Sequence, residues 1–246
     1  METHVETAGV GARIKAIASW AALRTRKTSP SPLLPPWEAP PAQFGVVIHH
    51  NVAVPMSDGI TLRADIHYPT DPATGEPASG PFPVLLSMTP YGKKAPPPAA
   101  QIGGGATPYL IRRGYIEVMA DVRGTGASGG SFEMLGPEQV QDGVDLVNWA
   151  ASLPNSNGRV GMFGISWGGF NALQVAALRP PALKAIVSLC STDDRYEDDV
   201  HYKGGTVINE MLGWAARSAL RAGRNGDRWA LALRAIHAMS ESDQTD

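Results

Sequence analysis

Gly164-Ile165-Ser166-Trp167-Gly168-Gly169 stands where a short apolar stretch of the chain gives way to a helical one. Arg159-Val160-Gly161-Met162-Phe163 reads as a buried strand, and residues 170–178 read as a helix stopped by Pro180-Pro181. The serine therefore falls on the turn between strand and helix. Such a turn needs neighbours without bulk. Gly164 and Gly168 let strand and helix approach closely, so that the serine holds a strained torsion with its oxygen exposed, and Gly169 relaxes the crowding further. A bare Gly-x-Ser-x-Gly also occurs in plain surface turns. The strand before it and the helix after it favour a serine set up as a nucleophile.

Working outward, Pro83-Val84-Leu85-Leu86-Ser87-Met88 is an apolar run of strand length that ends at Thr89-Pro90-Tyr91-Gly92-Lys93. Tyr91 is thereby placed at the carboxyl end of a strand, the edge on which open α/β sheets build their sites. A further strand, 115–120, runs into Asp121-Val122-Arg123-Gly124-Thr125-Gly126-Ala127-Ser128-Gly129-Gly130. This glycine-rich loop has no P-loop lysine, and no helix follows it promptly as in a dinucleotide fingerprint. It reads as a tight structural turn in which Asp121 and Arg123 brace one another and the loop backbone.

Six strands are expected, at 46–54, 60–68, 83–88, 115–120, 159–164 and 184–189. The first two form a hairpin over Ser57-Asp58-Gly59, a turn of the Asp-Gly kind. Between the fourth and fifth, residues 139–153 carry Val140, Val144, Val147 and Ala151 at helical spacing, with Pro154 closing the helix. The later strands alternate with helices, which gives a mostly parallel sheet with flanking helices, an α/β class. Residues 71–80 and 94–108 read as loops rich in proline, alanine and glycine.

Four ordered landmarks carry a resemblance: the stretch from Val54-Pro55-Met56-Ser57-Asp58-Gly59 to Asp65-Ile66, then Thr89-Pro90-Tyr91, then Asp121-Val122-Arg123-Gly124-Thr125-Gly126, then the serine turn. Together they resemble the cocaine esterase and X-Pro dipeptidyl-peptidase-like serine hydrolases, from about Val46 to the C-terminus. The resemblance implies an α/β-hydrolase core, a helical cap inserted late in it, and in long members a C-terminal β-sandwich. It also implies Ser166 as nucleophile, with an oxyanion hole made by the Tyr91 hydroxyl and the backbone N–H of Trp167.

Composition agrees with one sizeable core. The chain has 246 residues, of which 43% are hydrophobic and 18% charged, which excludes a disordered chain. A net charge of −2 and the lack of a basic run interleaved with aromatics speak against nucleic-acid binding. The single cysteine, Cys190, cannot form an internal disulfide; it reads as a buried small hydrophobe at a strand end, and nothing asks for an oxidising compartment. A cytoplasmic protein without metal or cofactor is expected.

The first 45 residues are different in kind. Residues 10–27 carry Ile14, Ile17, Ala18, Ala21 and Leu23 among Arg13, Lys15, Arg24, Arg26 and Lys27, an amphipathic basic helix too broken for a signal peptide or a membrane span. Docking on the domain surface or a partner contact suits it better than a membrane surface. The stretch from Ser29-Pro30-Ser31-Pro32 through Pro40-Pro41 is a semi-rigid linker. The expected organisation is a helix and linker at 1–45, a partial hydrolase core at 46–192, and the start of a helical cap at 193–246, with helices near 210–222 and 227–239.

In this fold an acid and then a histidine follow the serine from loops after later strands, and no later strands are visible. The resemblance places the triad Asp and His beyond Asp246, so the chain is expected to be the N-terminal part of a longer hydrolase, its sheet stopping after the sixth strand. His49, His50 and His67 lie on the first two strands, and His201 and His237 in the cap region; each reads as an exposed or locally bonded histidine rather than the base. A serine without a base is a poor nucleophile.

The substrate reading turns on Asp193-Asp194-Arg195-Tyr196-Glu197-Asp198-Asp199. A free amino terminus on a substrate would need carboxylates beside the site, and Asp198 and Asp199 stand where amino-acid ester hydrolases of the family are expected to supply one. The alternative is a solvated acidic rim with Arg195 paired inside it. An acyl esterase acting on small esters is the first expectation, and an X-Pro dipeptidyl-peptidase or α-amino-acid ester hydrolase acting on short peptides or amino-acid esters the second. A non-catalytic remnant that binds a ligand or partner through the old acyl pocket is the third.

Overall fold

A computed structural model describes residues 40–93, 108–133, 136–194, 196–197 and 202–207. The chain divides into two units, Met1–Pro41 and Ala42–Asp246, and the architecture below belongs to the second. The basic amphipathic stretch, most of the proline-rich linker and the helices expected at 210–222 and 227–239 lie outside the described residues.

In chain order the elements are β1 (Gly45–Pro55), β2 (Thr61–Thr70), β3 (Phe82–Thr89), α1 (Pro108–Ile111), β4 (Ile116–Asp121), α2 (Pro137–Ala151), β5 (Ser156–Ile165), α3 (Trp167–Ala177), β6 (Leu183–Leu189), β7 (Tyr202–Lys203) and β8 (Thr206–Val207). The first six strands form one sheet in the order β1-β2-β4-β3-β5-β6, and β7 and β8 form a separate two-stranded sheet. The β1–β2 and β2–β4 pairings are antiparallel, whereas β4–β3, β3–β5 and β5–β6 are parallel. All six strands read from the sequence are present, and the sheet is mixed and mostly parallel.

The interior strands are apolar on one face and selectively polar on the other. Every residue of β4 is buried; Ile116, Val118 and Ala120 alternate with Glu117, Met119 and Asp121. Val84, Leu86 and Met88 of β3 and Leu62, Ala64 and Ile66 of β2 complete the apolar layer, onto which α2 lays Leu146, Val147 and Ala150 and α3 lays Ala172 and Val175. Burial on both faces is what strands covered by crossover helices require. Among the described residues β6 closes the end of the order opposite β1 and is more open, with Val187 and Leu189 exposed.

The two helices start earlier than the sequence pattern suggests. α2 begins at Pro137, whose fixed torsion and missing N–H suit a first helical turn. α3 begins at Trp167, ahead of the expected 170, and so takes Gly168-Gly169 into its first turn. Glycine is a poor helix former, but space decides here: a Cβ on Gly164 would lie 2.6 Å from Gly168 Cα, and one on Gly169 would lie 2.9 Å from Ser188 Oγ.

The reading of Cys190 needs correction. The thiol is exposed, because Cys190 follows β6 at a left-handed φ of 51° rather than continuing into the core.

Candidate active site

The parallel strands β3, β4, β5 and β6 all deliver their carboxyl ends to one edge of the sheet, with Thr89 in register with Asp121 and Ile165 with Leu189. Ser166 occupies the turn between β5 and α3 at φ 56° and ψ −119°, a conformation that costs a non-glycine residue of order 1–3 kcal/mol. Its backbone is held on both sides: the Ser166 N–H donates to Leu189 O at 2.8 Å, and its carbonyl accepts the Phe170 N–H at 3.0 Å.

Tyr91 reaches the serine from the loop after β3. The hydroxyls of Tyr91 and Ser166 stand 3.1 Å apart, and the Tyr91 N–H donates to Thr89 Oγ1 at 3.1 Å. Among the described residues that tyrosine is the side chain hydrogen-bonded to Ser166 Oγ. Trp167 opens α3, where the amides of the first turn have no acceptor within the helix and the dipole favours negative charge. Its buried indole donates to Gln139 Oε1 at 3.1 Å and its ring lies against Phe132, 5.3 Å between centroids. The Tyr91 hydroxyl and the start of α3 thus both adjoin Ser166.

Behind Tyr91 lies a buried charge cluster. The Lys93 ammonium donates to Asp121 Oδ2 at 2.6 Å, and the Lys93 backbone N–H donates to Asp121 Oδ1 at 2.8 Å. Asp121 Oδ2 also accepts the Ala127 N–H at 3.0 Å, and Asp65 Oδ1 stands 4.0 Å from the ammonium. Asp65 itself accepts His50 Nδ1 at 2.7 Å and the Asn51 N–H at 2.9 Å. Burial raises the Asp65 carboxyl, but these donors and the Lys93 charge together hold it below its usual range. Lys93 escaped the sequence reading: a lysine after a glycine in a loop looks solvated, and its partner is 28 positions away.

Asp121 and Arg123 do not brace one another, as the sequence had suggested. Val122 separates them at the strand end, so Asp121 turns inward to Lys93 while Arg123 turns to α2 and the hairpin. Its guanidinium donates to both Asp142 oxygens, at 2.9 and 2.5 Å, and to Asp58 Oδ2 at 2.6 Å.

No histidine among the described residues is hydrogen-bonded to Ser166. His49 and His50 are exposed on β1, and His67 is buried on β2. Asp198, Asp199, His201 and His237 lie outside the described residues. Asp193, Asp194 and Glu197 are exposed, and Asp194 Oδ1 accepts the N–H groups of Tyr196 and Glu197 at 3.0 and 3.1 Å. Among the described residues no cluster of histidine, cysteine, aspartate or glutamate is arranged to hold a metal, and no helix is long and apolar enough to cross a membrane.

A serine on a positive-φ turn at the carboxyl edge of this sheet defines the fold class as α/β-hydrolase. The family model described as X-Pro dipeptidyl-peptidase (S15 family) matches residues 58–245, and the chain belongs to that family. The cocaine esterase of Rhodococcus sp. strain MB1 is 34% identical over 169 residues, 68% of this chain and 28% of that protein. A CocE/NonD family hydrolase from Staphylococcus aureus superposes with a TM-score of 0.60 at 26% identity, over 72% of this chain and 34% of its own. An α-amino acid ester hydrolase superposes with a TM-score of 0.57 at 25% identity, over 80% of this chain and 34% of its own. The chain spans less than a third of the length of the curated relatives it matches.

Proposed function

We propose that the protein is a serine hydrolase that cleaves acyl esters through an acyl-enzyme on Ser166. In the first step the Ser166 oxygen attacks the ester carbonyl carbon, its proton passes to a base outside the described residues, and the carbonyl oxygen becomes an oxyanion. Collapse of the tetrahedral species expels the alcohol and leaves the acyl group on Ser166; water then repeats the attack and releases the acid. The Tyr91 hydroxyl and the Trp167 backbone N–H donate to the oxyanion in both halves.

The observation that carries this reading is the 3.1 Å approach of the Tyr91 hydroxyl to a serine oxygen held at φ 56°. A structural turn has no need of that torsion or of a hydroxyl brought to it from another strand. Ser166→Ala tests it: hydrolysis of a short p-nitrophenyl ester by the whole protein should vanish while the circular dichroism spectrum is retained. Unchanged turnover would remove Ser166 from the mechanism.

The matched family's description favours a second reading, cleavage of X-Pro dipeptides from a free amino terminus, with Asp198 and Asp199 pairing the substrate ammonium. A comparison of kcat/KM for a simple acyl ester and for an X-Pro p-nitroanilide separates the two. The reading of the chain as a non-catalytic binding remnant predicts that neither substrate turns over and that a fluorophosphonate leaves Ser166 unlabelled.

A further inference from the structure

We propose that Lys93 and Asp121 are positioning residues whose buried ion pair sets the Tyr91 hydroxyl over Ser166. The inference rests on the reading of Tyr91 as an oxyanion donor.

The loop from β3 has to leave the sheet, present one phenol above the serine turn and return. Its outgoing side is fixed to β4, since Thr89 is in register with Asp121, its carbonyl accepts the Val122 N–H at 3.1 Å, and its hydroxyl accepts the Tyr91 N–H. At Gly92 the backbone turns with φ 91°, a left-handed torsion. The return is fixed at Lys93 by both its main chain and its ammonium, which grip the two oxygens of one carboxylate. The side chains of Lys93 and Asp121 are 1% and 2% exposed, so water does not compete for the contact. Asp121 thus anchors the strand before Tyr91 and the residue two positions after it. Nothing but Pro90, Tyr91 and Gly92 lies between the anchors, so the phenol has little freedom to leave the serine.

A buried ion pair that only stabilised the fold would be replaceable by apolar side chains with little penalty. It would also lower stability when broken without changing the turnover of the folded molecules. A clamp behaves differently. Misplacing a reacting group by about 1 Å costs on the order of 10²-fold in rate.

The test uses the whole protein. Lys93→Met with Asp121→Asn removes both charges, and Asp65 keeps His50 and Asn51 as donors. Gly92→Ala strains the same link from outside the core, where an added Cβ meets nothing within 4 Å, and so provides a variant that folds. Each is expected to lower kcat about 10- to 100-fold with KM changed by less than about twofold, and to add no further loss in a Tyr91→Phe background. In crystal structures of both variants the Tyr91 hydroxyl should leave hydrogen-bonding distance of Ser166 Oγ. Losses that multiply with that of Tyr91→Phe, or a Tyr91 hydroxyl still in place in the structure of the Lys93→Met, Asp121→Asn variant, would overturn the proposal. If the parent hydrolyses no ester, the hydrolase reading fails on its own, and the crystal structures still decide whether the pair positions Tyr91.

Discussion

Gln139 on α2 accepts the indole N–H of Trp167 on α3 at 3.1 Å, with both residues buried. The bond ties the helix behind the sheet to the first residue after the serine. Gln139→Leu preserves the volume and takes away this acceptor, so the variant should lose about 1–3 kcal/mol of unfolding free energy. Urea denaturation reads the loss as a lower midpoint at unchanged slope, and a parental midpoint would show that the indole is satisfied without Gln139.

Tyr91→Phe deletes one oxygen and leaves the ring in place. On the proposed mechanism kcat should drop about 10²–10³-fold, as removal of one oxyanion donor does, while KM stays near the parent value. Steady-state kinetics on a short ester decides it. A parental kcat would mean that the ring only packs.

The glycines around the serine turn should differ in how they tolerate a methyl group. At Gly164 the new Cβ would meet the backbone of Gly168, which cannot move without dislodging α3; at Gly169 it would meet the hydrogen-bonded hydroxyls of Ser191 and Ser188 at 2.5 and 2.9 Å, side-chain atoms that can give way more easily than backbone, and Leu189 O at 3.1 Å. Gly169→Ala should therefore cost about 1 kcal/mol and Gly164→Ala about 3 kcal/mol or more. Thermal melting of the two variants side by side measures the order, and equal costs would contradict it.

Stability should rise with pH as the pH climbs toward 6.5 from the acid side. Burial lowers the His67 pKa from its ordinary 6.5, only partly offset by the charge of Asp65 and by Glu117. Between the depressed folded value and 6.5 the unfolded chain binds a proton that the folded chain does not, so unfolding free energy grows as pH increases. Asp65 acts lower down: its folded value lies under 3.8, and the stability it contributes is lost only as pH falls through that acidic range. Denaturation across the pH range should show the upper slope flattening in His67→Gln, and an unaltered slope would assign it elsewhere.

The serine turn and the six strands were legible because both are local signals. A Gly-x-Ser-x-Gly between an apolar strand and a helix is complete within about 20 residues, and each strand announces itself by its own run of apolar residues. The partners of charged side chains were not legible. Asp121 stands two positions from Arg123 and was assigned to it, yet its partner Lys93 comes from another strand's loop, and Arg123 takes Asp142 and Asp58 from two further elements. Cys190 failed for a related reason. Its apolar run implies burial, but burial depends on where a strand falls in the sheet order, and among the described residues β6 closes one end of it.

The contacts of Arg123 have one more consequence. Asp58 sits in the turn joining β1 to β2, Asp142 on α2, and the same turn donates the Ser57 N–H to Asp145 at 2.8 Å. A hairpin at the margin of a sheet ordinarily frays by itself, so that its amides exchange with deuterium long before those of the interior. Here the tip is stitched to a helix that covers the interior strands. The amides near Ser57 and Asp58 are therefore coupled to those of α2, and the two segments should exchange as one cooperative unit.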